Sequence, residues 1–248
     1  MKLQKLGLRK KEAHLDQEKY EKIWGSKEDL NDYQMSEDKI LLKLIKIERK
    51  IMPIHYYCLD LETNGLMWRN NFHEICEFSV IRASDKTQLT RQVRVDKVEN
   101  SSFDALKIIN KTAIDLKQGV SKQELVSTFE KFIAEDDTFP EARCLVGHNI
   151  INFDRKFLWQ LWSSFNRVFP FSLYLDTMQM MRSHAKKNQI IKPALNLAAS
   201  CELIGIKKTG VSHTAHHDTR NTFLLWEQLM KTVDYLEHIK RIPHNDDE

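Results

Sequence analysis

Aromatic and β-branched residues cluster in three short segments in the middle of the chain. These segments are residues 54–61, 75–83 and 88–95, and Asn64-Gly65 supplies a turn signal after the first of them. Segments of this kind, separated by turn residues, are typical of strands that pair in sequence order. The pattern predicts an antiparallel meander, and the apolar run 143–147 predicts a further short, buried strand.

The hydrophobic spacing changes to the helical period after residue 120. Ser121 and Glu124 have the spacing of a capping box and predict the start of a helix that runs to about residue 135. A second helix is predicted from Asp154 to about Asn166, with an inward face of Phe157, Leu158, Leu161, Trp162 and Phe165. Further helices are predicted near 176–185, 194–203 and 215–233. Strands followed by alternating helices and strands predict an α/β domain with a mixed sheet.

Residues 1–52 differ from the rest of the chain. They contain 13 Lys and Arg against 10 Asp and Glu, and no strand-like run. Helices are predicted at 8–24 and 36–50, so we interpret 1–52 as a charged helical extension. It either docks on the domain or binds a protein partner or the substrate. The predicted organisation is this extension, one domain at 53–236, and a polar tail at 237–248.

Composition excludes several classes of protein. The 248 residues are 42% hydrophobic and 29% charged, which is typical of a folded globular chain. No apolar run reaches the length of a membrane span, and the N-terminus lacks the apolar core of a secretory signal. Four cysteines without C-x-x-C spacing predict buried free thiols, and therefore an intracellular, reducing compartment such as cytoplasm or nucleus. The net charge of +3 means that any grip on nucleic acid must come from a local patch.

Two acids in the first predicted strand are candidates for metal binding. Asp60 and Glu62 stand two apart, so their side chains share one face of the strand, while Leu59 and Leu61 face the core. Converging carboxylates are costly without a cation, and oxygen ligands suit Mg²⁺ or Mn²⁺. Taken alone, the pair is a weak signal and is better explained as two surface acids.

Later segments contribute further candidates, each with a structural alternative. Asp154 opens a predicted helix and binds a metal or caps that helix. Asn149, in the preceding loop, contacts substrate or shapes the loop. His213 lies five residues before Asp218, and histidine accepts protons near neutral pH. The alternatives for this histidine-rich segment are a zinc site, for which no fourth ligand has a recognisable spacing, or solvent-exposed histidines that bind nothing.

These fragments together resemble the DnaQ-like exonucleases of the DEDDh type, which have a ribonuclease H-like fold. CLDLETNGL resembles the first motif of that family, LVGHNIINFDRKFL the second, and HTAHHD the third. The resemblance covers about residues 54–232 and implies a 3′–5′ exonuclease with two divalent ions, Mg²⁺ or Mn²⁺. It implies that Asp60, Glu62, Asp154 and Asp218 bind the metals and that His213 is the general base.

The resemblance also implies how the nucleic acid is held. The turn from Thr63 to Leu66 would bind the terminal nucleotide, with Thr63 and Asn64 near the sugar and Leu66 against the last bases. Asn64 departs from the most frequent family residues, and the loop between Asn149 and Phe153 is one residue longer than in many relatives. The motifs favour DNA over RNA as the substrate, with an exoribonuclease as the alternative. A non-catalytic nucleic-acid-binding or scaffold module is the hypothesis from a different class.

Overall fold

The computed structural model describes residues 54–207, residue 210 and residues 213–242. A six-stranded sheet there has the strand order β3-β2-β1-β4-β5-β6. The strands are β1 (His55–Thr63), β2 (Ile75–Arg82), β3 (Gln88–Gln92), β4 (Arg143–Gly147), β5 (Leu173–Asp176) and β6 (Ile239–Arg241). The helices are α1 (Phe103–Ile109), α2 (Ala113–Leu116), α3 (Lys122–Ala134), α4 (Asp154–Ser163), α5 (Thr177–Lys187), α6 (Leu197–Ile204) and α7 (Ala215–Thr232).

The strand directions confirm the predicted mixed sheet. β1 pairs antiparallel with β2, and β2 with β3, so the meander is present. β4 and β5 then run parallel to β1, and β6 closes the sheet antiparallel to β5. With helices packed against it, this is the ribonuclease H-like sheet expected from the sequence. The predicted helical extension at 1–52 lies outside the described residues.

The two faces of β1 have different partners. Tyr57, Leu59 and Leu61 are buried in the main core, which also contains apolar side chains from α3 and α4. The residues between them face the other layer, where the Tyr56 ring lies 5.1 Å from the ring of Trp226 in α7. Because side chains alternate along a strand, Asp60 and Glu62 point toward the α7 layer.

Local signals account for most helix boundaries. Ser121 accepts a hydrogen bond from the backbone N–H of Glu124 at 3.1 Å, which starts α3 as predicted. α4 begins at Asp154 but ends at Ser163, three residues before the predicted end. Its predicted inward face is correct, with the last member, Phe165, packed only partly against the core.

Three features differ from the sequence prediction. β6 lies inside the range predicted as a polar tail; three residues with one buried side chain, Ile239, are too short for a period to be visible. β3 ends at Gln92 rather than at 95, because Val93 leaves the ladder to bridge Val120. The short helices α1 and α2 were not predicted; Ser102 caps α1, and Thr112 and Asp115 form a reciprocal capping box at the start of α2.

Candidate active site

Asp60 and Glu62 lie near the end of β1, on one face. They alternate with Leu59 and Leu61, which are buried as predicted. The pairing register with β2 shifts between Glu62 and Thr63, so the regular ladder is interrupted directly after the second carboxylate. Both acids are therefore held by a strand in the middle of the sheet rather than by a surface loop.

Asp154 approaches the same strand from the start of α4. It is only 4% exposed, and its Oδ1 accepts a hydrogen bond from the backbone N–H of Leu61 at 3.2 Å. The interpretation of Asp154 as the capping residue is wrong: Phe153 occupies the capping position, and no side-chain cap is made there. The carboxylate instead reaches the strand position between Asp60 and Glu62.

The loop before Asp154 is held by the end of β5. Asp176 accepts hydrogen bonds from the backbone N–H groups of Asn149 and Met178, both at 3.0 Å. Asn149 has a φ of 66°, a conformation that asparagine tolerates, and its Oδ1 accepts from the Asn152 amide at 3.2 Å. In this structure Asn149 shapes the loop, which is the structural role that its sequence left open.

His213 and Asp218 meet at the start of α7. The carboxylate of Asp218 accepts a hydrogen bond from the backbone N–H of His213 at 2.8 Å, and His213 has a left-handed φ of 64°. His213 and Asp218 line a cavity of about 370 Å³ together with Asn196, Leu197, Ala198, Cys201 and Asn221. This cavity is the opening of the site toward α6.

The carboxylates at this point repel one another. Burial is the largest cause that raises the pKa of Asp60 well above its usual range, and the charges of Asp154 and Glu62 add to it. Burial, followed by the charges of Asp218 and Glu77, raises the pKa of Glu62 to about 8. Burial is also the largest cause that raises the pKa of Asp154, to about 7. Such crowding of like charges favours protons or cations at the site.

The donor set fits a hard divalent cation. Glu62, His213 and Asp218 each offer one ligand atom, and these atoms lie within 4.8 Å of one another. Carboxylate oxygens predominate, as Mg²⁺ and Mn²⁺ prefer. All four cysteines are buried free thiols, as predicted, and none belongs to this group of ligand atoms among the described residues. Of the three histidines in this segment, only His213 contributes an atom to this group among the described residues, so the histidine cluster that the zinc alternative requires is not formed there.

The turn after β1 is built from its own polar groups. Thr63 Oγ1 donates to the backbone oxygen of Gly65 at 2.7 Å. Asn64 is fully buried; its amide donates to Ser101 Oγ at 3.0 Å, and its Oδ1 accepts from the Glu74 N–H at 2.6 Å. Leu66, by contrast, is 77% exposed. Of the residues predicted to contact nucleic acid in this turn, Leu66 alone projects into solvent.

Aromatic and basic residues near the site divide between core and surface. The Trp68 ring packs against the core and lies 6.4 Å from the Trp159 ring, whereas Phe72 is 41% exposed. The side chains of Lys186, Lys187, Lys192 and Lys207 are exposed, and Lys208 lies outside the described residues. Lys187 Nζ also donates to the backbone oxygen of Thr232 at 3.1 Å, which fits an ordinary helix-end contact.

Sequence reasoning missed two charged residues beside the site. Glu77 lies directly opposite Glu62 in the register of β1 and β2, and Lys111 forms an ion pair with Glu77 at 2.7 Å. Alternation along β2 would have placed Glu77 on the same face as the acids, provided that the register had been known. The position of Lys111, in the link between α1 and α2, has no comparable signal in the sequence.

The acidic cluster lies on the first strand of a ribonuclease H-like sheet, where Asp154 and Asp218 approach Asp60 and Glu62. The sequence model of the RNase_T family, described as an exonuclease family, matches residues 57–225, more than half of the chain. The chain therefore belongs to this exonuclease family, so the predicted exonuclease relationship is confirmed, and it shares its fold with a DEDDh family member.

Solved structures show the same fold at low sequence identity. Cell-death related nuclease 4 (CRN-4) matches with a TM-score of 0.60 and 8% identity, over 79% of this chain and 83% of that one. The nuclease domain of 3'hExo, a DEDDh family member bound to rAMP, matches with a TM-score of 0.60 and 13% identity, over 77% and 98%. E. coli Exonuclease I in complex with a dA16 oligonucleotide matches with a TM-score of 0.57 and 16% identity, over 73% and 41%.

No curated protein sequence matches this chain significantly. Within the part of the chain that the structure describes, no helix combines the length and apolar character needed to cross a membrane.

Proposed function

We propose that this protein is a metal-dependent 3′–5′ exonuclease that releases 5′-mononucleotides from the 3′ end of single-stranded DNA by two-metal hydrolysis. One observation carries the proposal: a strand, a helix start and a loop–helix junction bring four buried or half-buried acids and an exposed histidine to one point. The members are Asp60, Glu62, Asp154, Asp218 and His213. The repulsion among these carboxylates would be offset by cations bound beside a phosphodiester.

The residues divide the work by chemical type. The four carboxylates would hold divalent ions, Mg²⁺ or Mn²⁺, and such ions would supply charge neutralisation at the phosphate and activation of water. His213 accepts the proton of the attacking water, since its ring lies beside Glu62 and Asp218. The hydrogen bond from the backbone N–H of His213 to the Asp218 carboxylate holds the proposed base next to a proposed metal ligand.

The turn after β1 is suited to the 3′ end. The side chains of Thr63 and Asn64 form hydrogen bonds that stabilise the turn. We therefore propose that these residues act by holding the backbone of the turn toward the terminal sugar. Leu66 is free to pack against the last bases, and Asn149 keeps the opposite loop in shape. This arrangement recognises an unpaired end by shape and stacking rather than by base identity.

DNA is the proposed substrate, with RNA as the alternative. The motifs favour DNA, and E. coli Exonuclease I was solved in complex with dA16 and dT13 oligonucleotides. The RNA alternative has support from 3'hExo bound to rAMP and from a 3′-exonuclease that recognises the histone mRNA stem-loop. We also propose that residues 1–52 contact a protein partner or the substrate, and that the protein works in a reducing intracellular compartment.

Nucleotide release is the direct test. Matched DNA and RNA strands, labelled at the 5′ or the 3′ end, are incubated with Mg²⁺ or Mn²⁺ and with EDTA. We expect metal-dependent shortening from the 3′ end, a 5′-mononucleotide product and faster cleavage of DNA. Asp60→Ala and His213→Ala should abolish release, while Glu141→Ala, an exposed acid at the far end of β4, should retain it.

The same assay separates the alternatives. Faster cleavage of the RNA strand would replace the DNA assignment by an exoribonuclease. Binding of the strands without release in either metal would favour a non-catalytic binding module. Full activity of Asp60→Ala or His213→Ala would refute the assigned mechanism.

A further inference from the structure

A glutamate and a lysine outside the five predicted residues connect β2 to the helix that carries Asp218. Oε2 of Glu77 accepts a hydrogen bond from the backbone N–H of Ala215 at 3.1 Å. Oε1 of Glu77 forms an ion pair with Nζ of Lys111 at 2.7 Å, and the two side chains are only 17% and 13% exposed. Both oxygens of this carboxylate are therefore engaged by partners within the protein.

The contact at Ala215 acts on the start of α7. Ala215 is the first residue of that helix, two residues after His213 and three before Asp218. The first N–H groups of a helix lack intrahelical partners, and a carboxylate there is further favoured by the helix dipole. A shift of the helix start would carry His213 and Asp218 with it.

A second contact ties the same helix to the same strand. Thr219 Oγ1 donates to the backbone oxygen of Ser79 at 3.1 Å, one helical turn after Ala215. The two contacts leave α7 little freedom to slide or rotate on β2. β2 pairs directly with β1, which carries Glu62. The two contacts therefore fix the position of α7 relative to Glu62 through one pair of strands.

Lys111 explains how Glu77 is tolerated opposite another acid. Like charges directly opposite each other on paired strands repel. Lys111 places the opposite charge 2.7 Å from Glu77, which offsets the repulsion between Glu77 and Glu62.

We propose that Glu77, paired with Lys111, is a positioning residue that anchors the N-terminus of α7 and thereby places His213 and Asp218 against Glu62. Glu77 is not a metal ligand in this proposal. The catalytic consequence rests on the proposed function, whereas the anchor is a property of the metal-free protein.

Two substitutions of similar size separate the roles. Glu77→Gln retains an oxygen that accepts the Ala215 N–H, and Glu77→Leu removes it. Hydrogen exchange followed by mass spectrometry, in EDTA and without substrate, measures protection of the first turn of α7. We expect exchange there to accelerate about tenfold or more in Glu77→Leu and to stay near wild type in Glu77→Gln. Glu77→Ala repeats the test if leucine prevents folding.

Kinetics on a labelled single strand supply the second readout. We expect Glu77→Leu to lower kcat about 10–100-fold, with KM changed less than about threefold, as for other residues that orient metal ligands. Glu77→Gln should stay within about fivefold of wild type, because the anchor survives. Glu135→Leu is the matched control: it removes an ion pair with Arg82 at the other end of β2 and should change neither readout.

Three results would overturn the proposal. Unchanged exchange in Glu77→Leu would show that the contact does not hold the helix. Faster exchange with a wild-type kcat would show that the anchor has no bearing on catalysis. Equal loss of kcat in the Gln and Leu variants, restored by excess Mn²⁺, would make Glu77 a metal ligand. Absence of nucleotide release by the wild-type protein would instead refute the proposed function, and the exchange result would stand separately.

Discussion

Raising the pH should destabilise the metal-free protein, because its crowded carboxylates release their protons near neutrality. In the folded chain the pKa of Glu62 is about 8, against an ordinary 4.5, and that of Asp154 is about 7, against 3.8. Between pH 6 and pH 8 the folded state therefore holds protons that the unfolded state has already released. The free energy of unfolding falls with rising pH wherever the folded state binds more protons than the unfolded state. These two carboxylates therefore contribute a negative slope to the free energy of unfolding against pH.

The size of the effect follows from these two shifts. Integrating the proton linkage from pH 6 to pH 8 gives a loss of about 2 kcal/mol from Glu62 and about 1 kcal/mol from Asp154. The free energy of unfolding of a small domain is typically about 5–15 kcal/mol, so a total of about 3 kcal/mol is a large part of it. The contribution of these two groups to the free energy of unfolding is present at low pH and is lost as the pH rises through their two folded-state pKa values.

Urea denaturation in EDTA at pH 6, 7 and 8 measures this directly. We expect the free energy of unfolding of the wild type to fall by about 2 kcal/mol more than that of Glu62→Gln between pH 6 and pH 8. Burial lowers the pKa of His148, His216 and His238, which raises stability with pH in both proteins and therefore cancels in the difference. Equal slopes for wild type and variant would refute the reasoning.

Metal should reverse the loss. Bound cations require deprotonated ligands, so Mn²⁺ should stabilise the wild type more at pH 8 than at pH 6. Glu141→Gln, which neutralises an exposed acid away from the site, should keep the wild-type slope and the wild-type response to Mn²⁺. An equal metal-induced gain at both pH values would contradict the titration of the site.

Three further substitutions test the surroundings of the site. In Gly65→Ala the new Cβ would lie 2.4 Å from the His73 ring, so we expect a loss of about 1–3 kcal/mol and a higher KM, both relieved in a double variant with His73→Ala. Leu66→Ala should leave urea stability within about 0.5 kcal/mol, because Leu66 is 77% exposed, yet raise KM for a single strand about fivefold. Asp176→Ala leaves the Asn149 and Met178 N–H groups without their acceptor and should cost about 2–4 kcal/mol in urea denaturation, with a lower kcat; unchanged stability would refute that role.

Much of the fold follows from periods that a single segment displays. The meander, the buried strand at 143–147 and the long helices are visible because each buries one face through several repeats. β6 has only three residues, and α1 and α2 have seven and four, so no repeat distinguishes them from loops. Their existence depends on neighbours that the rest of the chain supplies.

The candidate site divides in the same way. The spacing of Asp60 and Glu62 determined by itself that both acids share a face, since strand side chains alternate. Asp154, however, has the spacing of a helix cap, and only the packing of α4 against β1 directs it to the Leu61 N–H. Asn64 likewise belongs to a motif, but only the tertiary structure shows that it is buried and that its amide donates a hydrogen bond to Ser101.

What the sequence by itself determined is the chemistry: which acids and which histidine are present, in what order, and on what kind of element. Tertiary structure alone decided which residues support them. Glu77 and Ala215 are 138 positions apart, and their contact depends on strand register and on the face that α7 covers. Local periodicity carries no information about either, because register and layer order are set by packing among distant segments.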